Sequence, residues 1–121
     1  MKILRNIVLA ATLLFPFSIS QAGDLTQAQW IAFMIKGLPA AFCAPDQLYR
    51  SCFEVTAQEC VETVTAAAEN CLDRFAGELP EMFTFNEGRK WGPMIEKCID
   101  AVYVGTYSGL KIDNAECNAM R

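Results

Sequence analysis

Apolar residues recur along this chain at the three-and-four spacing of a helix face, not at the alternation of a strand. Trp30, Phe33, Met34 and Leu38 keep that step, and Cys60, Val64, Ala67, Ala68, Cys71 and Phe75 repeat it. Met94, Cys98, Ile99 and Val102 repeat it again. Thr26-Gln27-Ala28-Gln29 and Thr56-Ala57-Gln58-Glu59 have the form of capping boxes, in which a threonine and the side chain three residues on satisfy each other's backbone N–H.

The first helix is therefore predicted over residues 26–37, with Gly37 and Pro39 as its stop. A short second helix is expected from Pro45 or Asp46 to Phe53. The third runs from Thr56 to about Phe75, ended by Gly77, with Glu62, Glu69 and Asp73 on its outer face. Val61, Thr63, Val64 and Thr65 are β-branched and oppose this helix, but the alanines and both end signals outweigh them. Residues 77–92 read as a loop holding Phe83, Phe85 and Trp91. A fourth helix is capped by Asn86 and passes Gly92-Pro93, or it starts at Pro93. In either case Met94, Cys98, Ile99 and Val102 form its inner face, and Gly105 and Gly109 weaken its end. Asp113-Asn114-Ala115-Glu116 caps a last turn holding Cys117.

The N-terminal apolar stretch has a different meaning. Lys2 and Arg5 precede a run from Ile7 to Ile19 broken only by Thr12, Pro16 and Ser18. Ser20-Gln21-Ala22 then places small residues at both positions that a signal peptidase reads. Residues 1–22 are expected to be a signal peptide, cleaved before Gly23. The run is short for a membrane span and Pro16 interrupts it. Lipid modification at the cleavage site needs a cysteine there, and the first is Cys43. The chain is thus expected to be exported, to the periplasm or beyond the cell. What remains, residues 23–121, is one domain of 99 residues. Its fourteen acidic and eight basic side chains give a net charge of −6. That balance argues against a nucleic-acid binder and against docking on anionic lipid, and is compatible with a basic protein partner.

Export changes the reading of the six cysteines. In an oxidising compartment Cys43, Cys52, Cys60, Cys71, Cys98 and Cys117 pair as three disulfides. The fold class is accordingly an all-α, disulfide-stapled bundle of four to five short helices. Six cysteines allow fifteen pairings, which sequence alone does not resolve. Cys60 and Cys71 lie about 16 Å apart along one helix and cannot bond each other. An antiparallel hairpin turning near Thr56 favours Cys52 with Cys60 and Cys43 with Cys71, leaving Cys98 for Cys117. No Cys-x-x-Cys unit is present, which argues against zinc and redox roles.

The chain contains no histidine, the commonest general base and metal ligand. Serine or cysteine nucleophiles would lack their usual partner. Carboxylates share helix faces, as in Glu62, Glu69 and Asp73 or Glu96 and Asp100, but such runs are usually solvated surface. No enzymatic activity, no cofactor and no metal are expected. The leading function is a protein-binding module, in a form such as an inhibitor or immunity-type protein. Met82, Phe83, Phe85, Arg89, Lys90 and Trp91 are the candidate partner-binding residues, for their hot-spot composition. The competing role for these aromatics is closure of the core. The alternative function is a carrier of small apolar ligands, with Phe33, Met34, Phe42, Met82, Phe85 and Met94 around an interhelical cavity. A homodimer would also bury an exposed aromatic surface. Cys98, Tyr103, Gly105, Gly109 and Cys117 are similar to a Cys–Tyr–Gly–Gly–Cys stretch in periplasmic immunity proteins that neutralise secreted bacterial amidases. The similarity is confined to residues 98–117.

Overall fold

A computed structural model describes residues 24–120; the expected signal peptide lies outside the described residues. The elements in order are β1 (Leu25–Thr26), α1 (Gln27–Phe42), α2 (Leu48–Ser51), α3 (Ala57–Phe75), β2 (Met82–Phe83), α4 (Phe85–Thr106) and α5 (Ala115–Asn118). A single 3-10 turn, Ser108–Leu110, follows α4. The all-α class holds, with two two-residue strands added. They pair antiparallel, Leu25 opposite Phe83 and Thr26 opposite Met82.

Both capping boxes form. The Thr26 hydroxyl accepts from the Gln29 N–H at 3.2 Å and the Gln29 side chain accepts from the Thr26 N–H at 2.9 Å. Thr56 and Glu59 repeat the exchange at 3.1 and 2.7 Å. The helix stop at Gly37 does not hold: α1 runs through Gly37 and Pro39 to Phe42. Proline in a helix interior costs about 3 kcal/mol. Here the last turn around it buries Leu38 and Phe42 and ends in a disulfide at Cys43, which offsets that cost. The second helix is a single turn, shorter than expected.

The larger correction concerns residues 77–92. Helix α4 begins at Phe85, and its cap is Thr84, whose hydroxyl accepts from the Glu87 N–H at 3.2 Å. Neither Asn86 nor Pro93 starts it, and Pro93 lies inside it. Of the expected inner face Ile99 is buried and Cys98 and Val102 are partly buried against the core, but Met94 is exposed; Trp91, Ile95 and Tyr103 complete the buried stripe. Asn114 caps α5 as expected, its side chain accepting from the Cys117 N–H at 2.7 Å.

Helix α3 is the centre of the bundle. Its buried Cys60, Val64, Ala67, Ala68, Cys71 and Leu72 carry both neighbours. Helix α1 lies antiparallel to it, with Cys43 at the end of α1 bonded to Cys60 at the start of α3. Helix α4 is antiparallel to α3 as well: Trp91 meets Phe75 at one end, and the hydroxyls of Thr63 and Tyr107 meet at the other. Helices α1 and α4 therefore run parallel, side by side on α3.

The expected disulfide pairing is overturned. The bridges are Cys43–Cys60, Cys52–Cys117 and Cys71–Cys98, with Cα separations of 5.8, 5.2 and 6.0 Å. The hairpin argument placed the bend midway between Cys43 and Cys71. Because α1 extends five residues beyond Gly37, its end meets the first turn of α3, and Cys43 reaches Cys60. The segment carrying Cys52 is looped out and faces the C-terminal tail, where Phe53 and Lys111 form an isolated bridge. Cys71, near the far end of α3, is left to α4.

Candidate functional site

Two parallel helices on a third leave a cleft between them, and this one is lined at helical spacing on both walls. From α4 come Phe85, Gly88, Arg89, Gly92, Pro93 and Glu96. They form a second stripe on α4, beside the one that packs on α3. From α1 come Trp30, Phe33 and Met34, and Leu25 and Phe83 close the end where β1 pairs with β2. This reach of the cleft is mainly apolar, holds about 560 Å³ and is open to solvent.

Its base is rigid. The Trp30 and Phe83 rings are stacked, centroids 4.1 Å apart and planes 6° from parallel, and both are buried. The Gln27 N–H donates to the Glu81 carbonyl at 2.8 Å, and its side-chain amide to the Leu79 carbonyl at 3.0 Å, tying α1 to the segment before α4. Above this base two aromatic side chains stand out: Phe33 is 65% exposed and Phe85 is 72% exposed. The Arg89 guanidinium lies 5.7 Å from the centroid of the Phe85 ring, within cation–π range. An exposed phenylalanine on its own needs no explanation; two lining one cleft above an aromatic base form a patch.

The cleft continues toward the other end of α1, where Ala41, Phe42, Gln47, Tyr49, Pro93, Glu96, Lys97 and Asp100 line a polar reach of about 520 Å³. The Tyr49 hydroxyl donates to the Asp100 carboxylate at 2.6 Å, and the Tyr103 hydroxyl donates to the Tyr49 carbonyl at 2.7 Å. Burial, then the hydrogen bond to Asp100, then the charges of Asp100 and Glu96 push the Tyr49 phenol above the usual tyrosine range. Tyr103 is pushed up to about 12, chiefly by burial, with Tyr107 adding to it.

The expected partner-binding residues are split by this arrangement. Phe83 and Trp91 are core residues, 1% and 7% exposed, so neither is a free contact. Phe83 serves as the base of the cleft, while Trp91 turns to Phe75 on α3. Phe85 and Arg89 line the cleft. Met82 is half exposed on β2, and the Lys90 amine lies over the Trp91 ring at 5.3 Å, away from the lining. The residues missing from the expected set are Leu25, Trp30, Phe33, Met34, Tyr49 and Glu96. Phe33 and Met34 are expected with Phe85 around a ligand cavity instead, and the cleft brings these three together in an open form.

The six residues expected to surround a carrier cavity do not enclose one. Phe33, Met34 and Phe85 line the open cleft, Phe42 its polar reach, and Met82 and Met94 point to solvent. A more enclosed pocket beside Phe53, Val104 and Met120 measures about 140 Å³, small for an apolar ligand. Glu62, Glu69 and Asp73 are on the exposed face of α3. Among the described residues no cluster of cysteine and carboxylate side chains is placed to hold a metal, and no helix is long and apolar enough to cross a membrane.

Fold and bridges define a small exported-type helical protein held by three disulfides. A family model described as T2SS substrate NttA, T2SS being the type II secretion system, matches residues 24–111, and the chain belongs to that family. The matched span includes both walls of the cleft. No curated protein and no solved structure matches the chain significantly. Membership in a family of secretion substrates implies export.

Proposed function

We propose that this protein is a non-enzymatic binding module that acts outside the cell and engages a protein partner through the cleft between α1 and α4. The observation that carries the reading is the pair Phe33 and Phe85, exposed across an aromatic base fixed by Trp30 and Phe83. Interfaces concentrate their energy in a few aromatic and arginine side chains seated on well-packed surroundings. Phe33, Phe85 and Arg89 have that chemistry and that support. Two of the three disulfides hold the walls: Cys43–Cys60 fixes α1 to α3, and Cys71–Cys98 fixes α3 to α4. A cleft held open in this way loses little freedom on binding, which favours affinity. The family match supports export, and action beyond the cell is the natural end of a type II secretion substrate.

Site-specific photo-crosslinking tests the reading. A photoreactive side chain is placed at position 85 in one variant and at position 62, on the outer face of α3, in another. The variants are exposed to cells or secretions that the exported protein meets. A single protein crosslinked from position 85 and absent from position 62 supports the reading. Equal crosslinking from both, or none from 85, contradicts it. Fractionation of the producing cells tests location: accumulation in the medium supports action outside the cell, and retention in the periplasm contradicts it.

A further inference from the structure

Pro93 and Glu96 line both reaches of the cleft, which therefore adjoin and together follow α4 from Phe85 to Asp100 as a trough. At 1.5 Å per residue it is about 22 Å long. Gly88, Gly92 and Pro93 stand among the larger residues of its α4 side, and on α1 Gly37 falls in sequence between the lining residues Met34 and Ala41. Glycine is unfavourable inside a helix, because the free chain loses more conformational freedom there. At Gly37 neither backbone nor packing demands it, whereas a Cβ at Gly92 would crowd the ring of Pro93, which follows it inside the helix. The glycines among the described residues have no positive φ, and beyond its chain neighbours a Cβ at Gly37 or Gly92 would meet nothing within 4 Å. Pro93 also lacks the N–H that the Arg89 carbonyl would accept in a regular helix. Bare backbone with a freed acceptor suits the close approach of another chain.

The two ends of the trough differ in chemistry. Phe33, Phe85, Trp30 and Met34 make one end apolar. Glu96 and Asp100 stand one helical turn apart at the other, and their charges add to burial and to the Asp100 hydrogen bond in holding the Tyr49 phenol above its usual range. The net charge of −6 for residues 23–121 acts in the same direction.

We infer that the trough receives a peptide segment of a partner protein, with an apolar side chain between Phe33 and Phe85 and a lysine or arginine at Glu96 and Asp100. From Phe85 to Glu96 is about 16 Å along α4, which an extended chain covers in about five residues. The two anchoring side chains of the segment therefore stand about five positions apart. This inference rests on the reading of the cleft as the partner site and specifies what enters it.

Panning a random peptide phage library on the oxidised chain, Gly23 to Arg121, tests it, with the Gly92→Leu variant as counter-target. The added side chain projects into the open trough and leaves the core packing intact, and the cost of a Cβ before Pro93 is checked by circular dichroism and melting temperature. The expected result is a consensus of an apolar residue four to six positions from lysine or arginine. A synthetic peptide of the leading sequence then binds Gly92→Leu at least about ten-fold more weakly than wild type, and Glu96→Gln about five-fold more weakly. A consensus without a cation, equal binding to Gly92→Leu, or no enriched peptide overturns the inference. Dimers of the wild type in sedimentation that Gly92→Leu abolishes, with no peptide enriched, give the trough to a second copy and also overturn it. Partner crosslinking from position 85 that persists in Gly92→Leu removes this inference and leaves the broader function standing. Absence of that crosslinking in wild type removes both.

Discussion

The indole of Trp30 lies flat on the ring of Phe83, centroids 4.1 Å apart, so that the first turn of α1 is locked to the strand that leads into α4. Next to it in sequence, two residues on, Phe85 is 72% exposed. One phenylalanine closes the core and the other is presented to solvent, and the consequences of removing them differ accordingly.

Phe83→Ala is expected to cost about 3–5 kcal/mol, the range for truncating a fully buried phenylalanine, because the stacked partner loses its contact surface as well. Phe85→Ala is expected to stay within about 0.5 kcal/mol of wild type. Urea denaturation followed by circular dichroism measures both. Similar losses for the two would contradict the division between base and rim.

Non-reducing peptide mapping should recover Cys43–Cys60, Cys52–Cys117 and Cys71–Cys98. Replacing Cys52 and Cys117 by alanine removes the bridge with the largest sequence separation, 65 residues, and is expected to cost about 4 kcal/mol on the loop-entropy account. Replacing Cys43 and Cys60, separated by 17 residues, should cost about 3 kcal/mol. Recovery of Cys43 bonded to Cys71 would contradict the antiparallel placement of α1 on α3.

Gly37→Ala should stabilise the protein by about 0.5–1 kcal/mol, since alanine is the better helix residue and its methyl meets nothing within 4 Å. Thermal melting measures the gain. A fall in melting temperature would show that α1 is packed closely at Gly37.

Alkaline pH should weaken the fold through its tyrosines. Tyr103 ionises at about 12 in the folded chain and near 10 when unfolded, so its neutral form is favoured by folding. The stabilisation is fully present below pH 10 and is lost as pH rises toward 12. Tyr49, also raised, adds to the same loss. Absorbance titration of the folded chain should show these two phenols ionising later than they do in denaturant. Identical curves would contradict the buried network of Tyr49, Tyr103 and Asp100.

Much of this fold is legible in local chemistry. Thr26 and Thr56 mark their helix starts because each has a glutamine or glutamate three residues on. The same Thr-x-x-Glu pattern stands at Thr84 and Glu87, and it would have placed the start of α4 correctly. It was masked by Gly88, Gly92 and Pro93, three poor helix residues whose cost is offset by burial of Trp91, Ile95, Ile99 and Tyr103 on the opposite stripe. Pro39 misleads in the same way, its local penalty overruled by the packing of Leu38 and Phe42. The disulfide pairing was not legible, because it depends on where α1 ends. Of the site, Phe85 and Arg89 could be picked out by type, and Phe33 and Met34 group with Phe85 as residues between helices; Tyr49 and Glu96 join them only through the parallel placement of α1 and α4, a tertiary fact. Glu96 and Asp100 were visible as a carboxylate pair; their neighbour Tyr49 was not.

The central claim is that the exposed aromatic pair of the cleft holds a protein partner. Its most direct test is the affinity of the crosslinked partner for wild type and for Phe33→Ala/Phe85→Ala, both oxidised and of matched stability. Loss of about ten-fold or more is the predicted result, as for interface aromatics elsewhere. Equal affinity for the two proteins would contradict the account and move the binding surface away from the cleft.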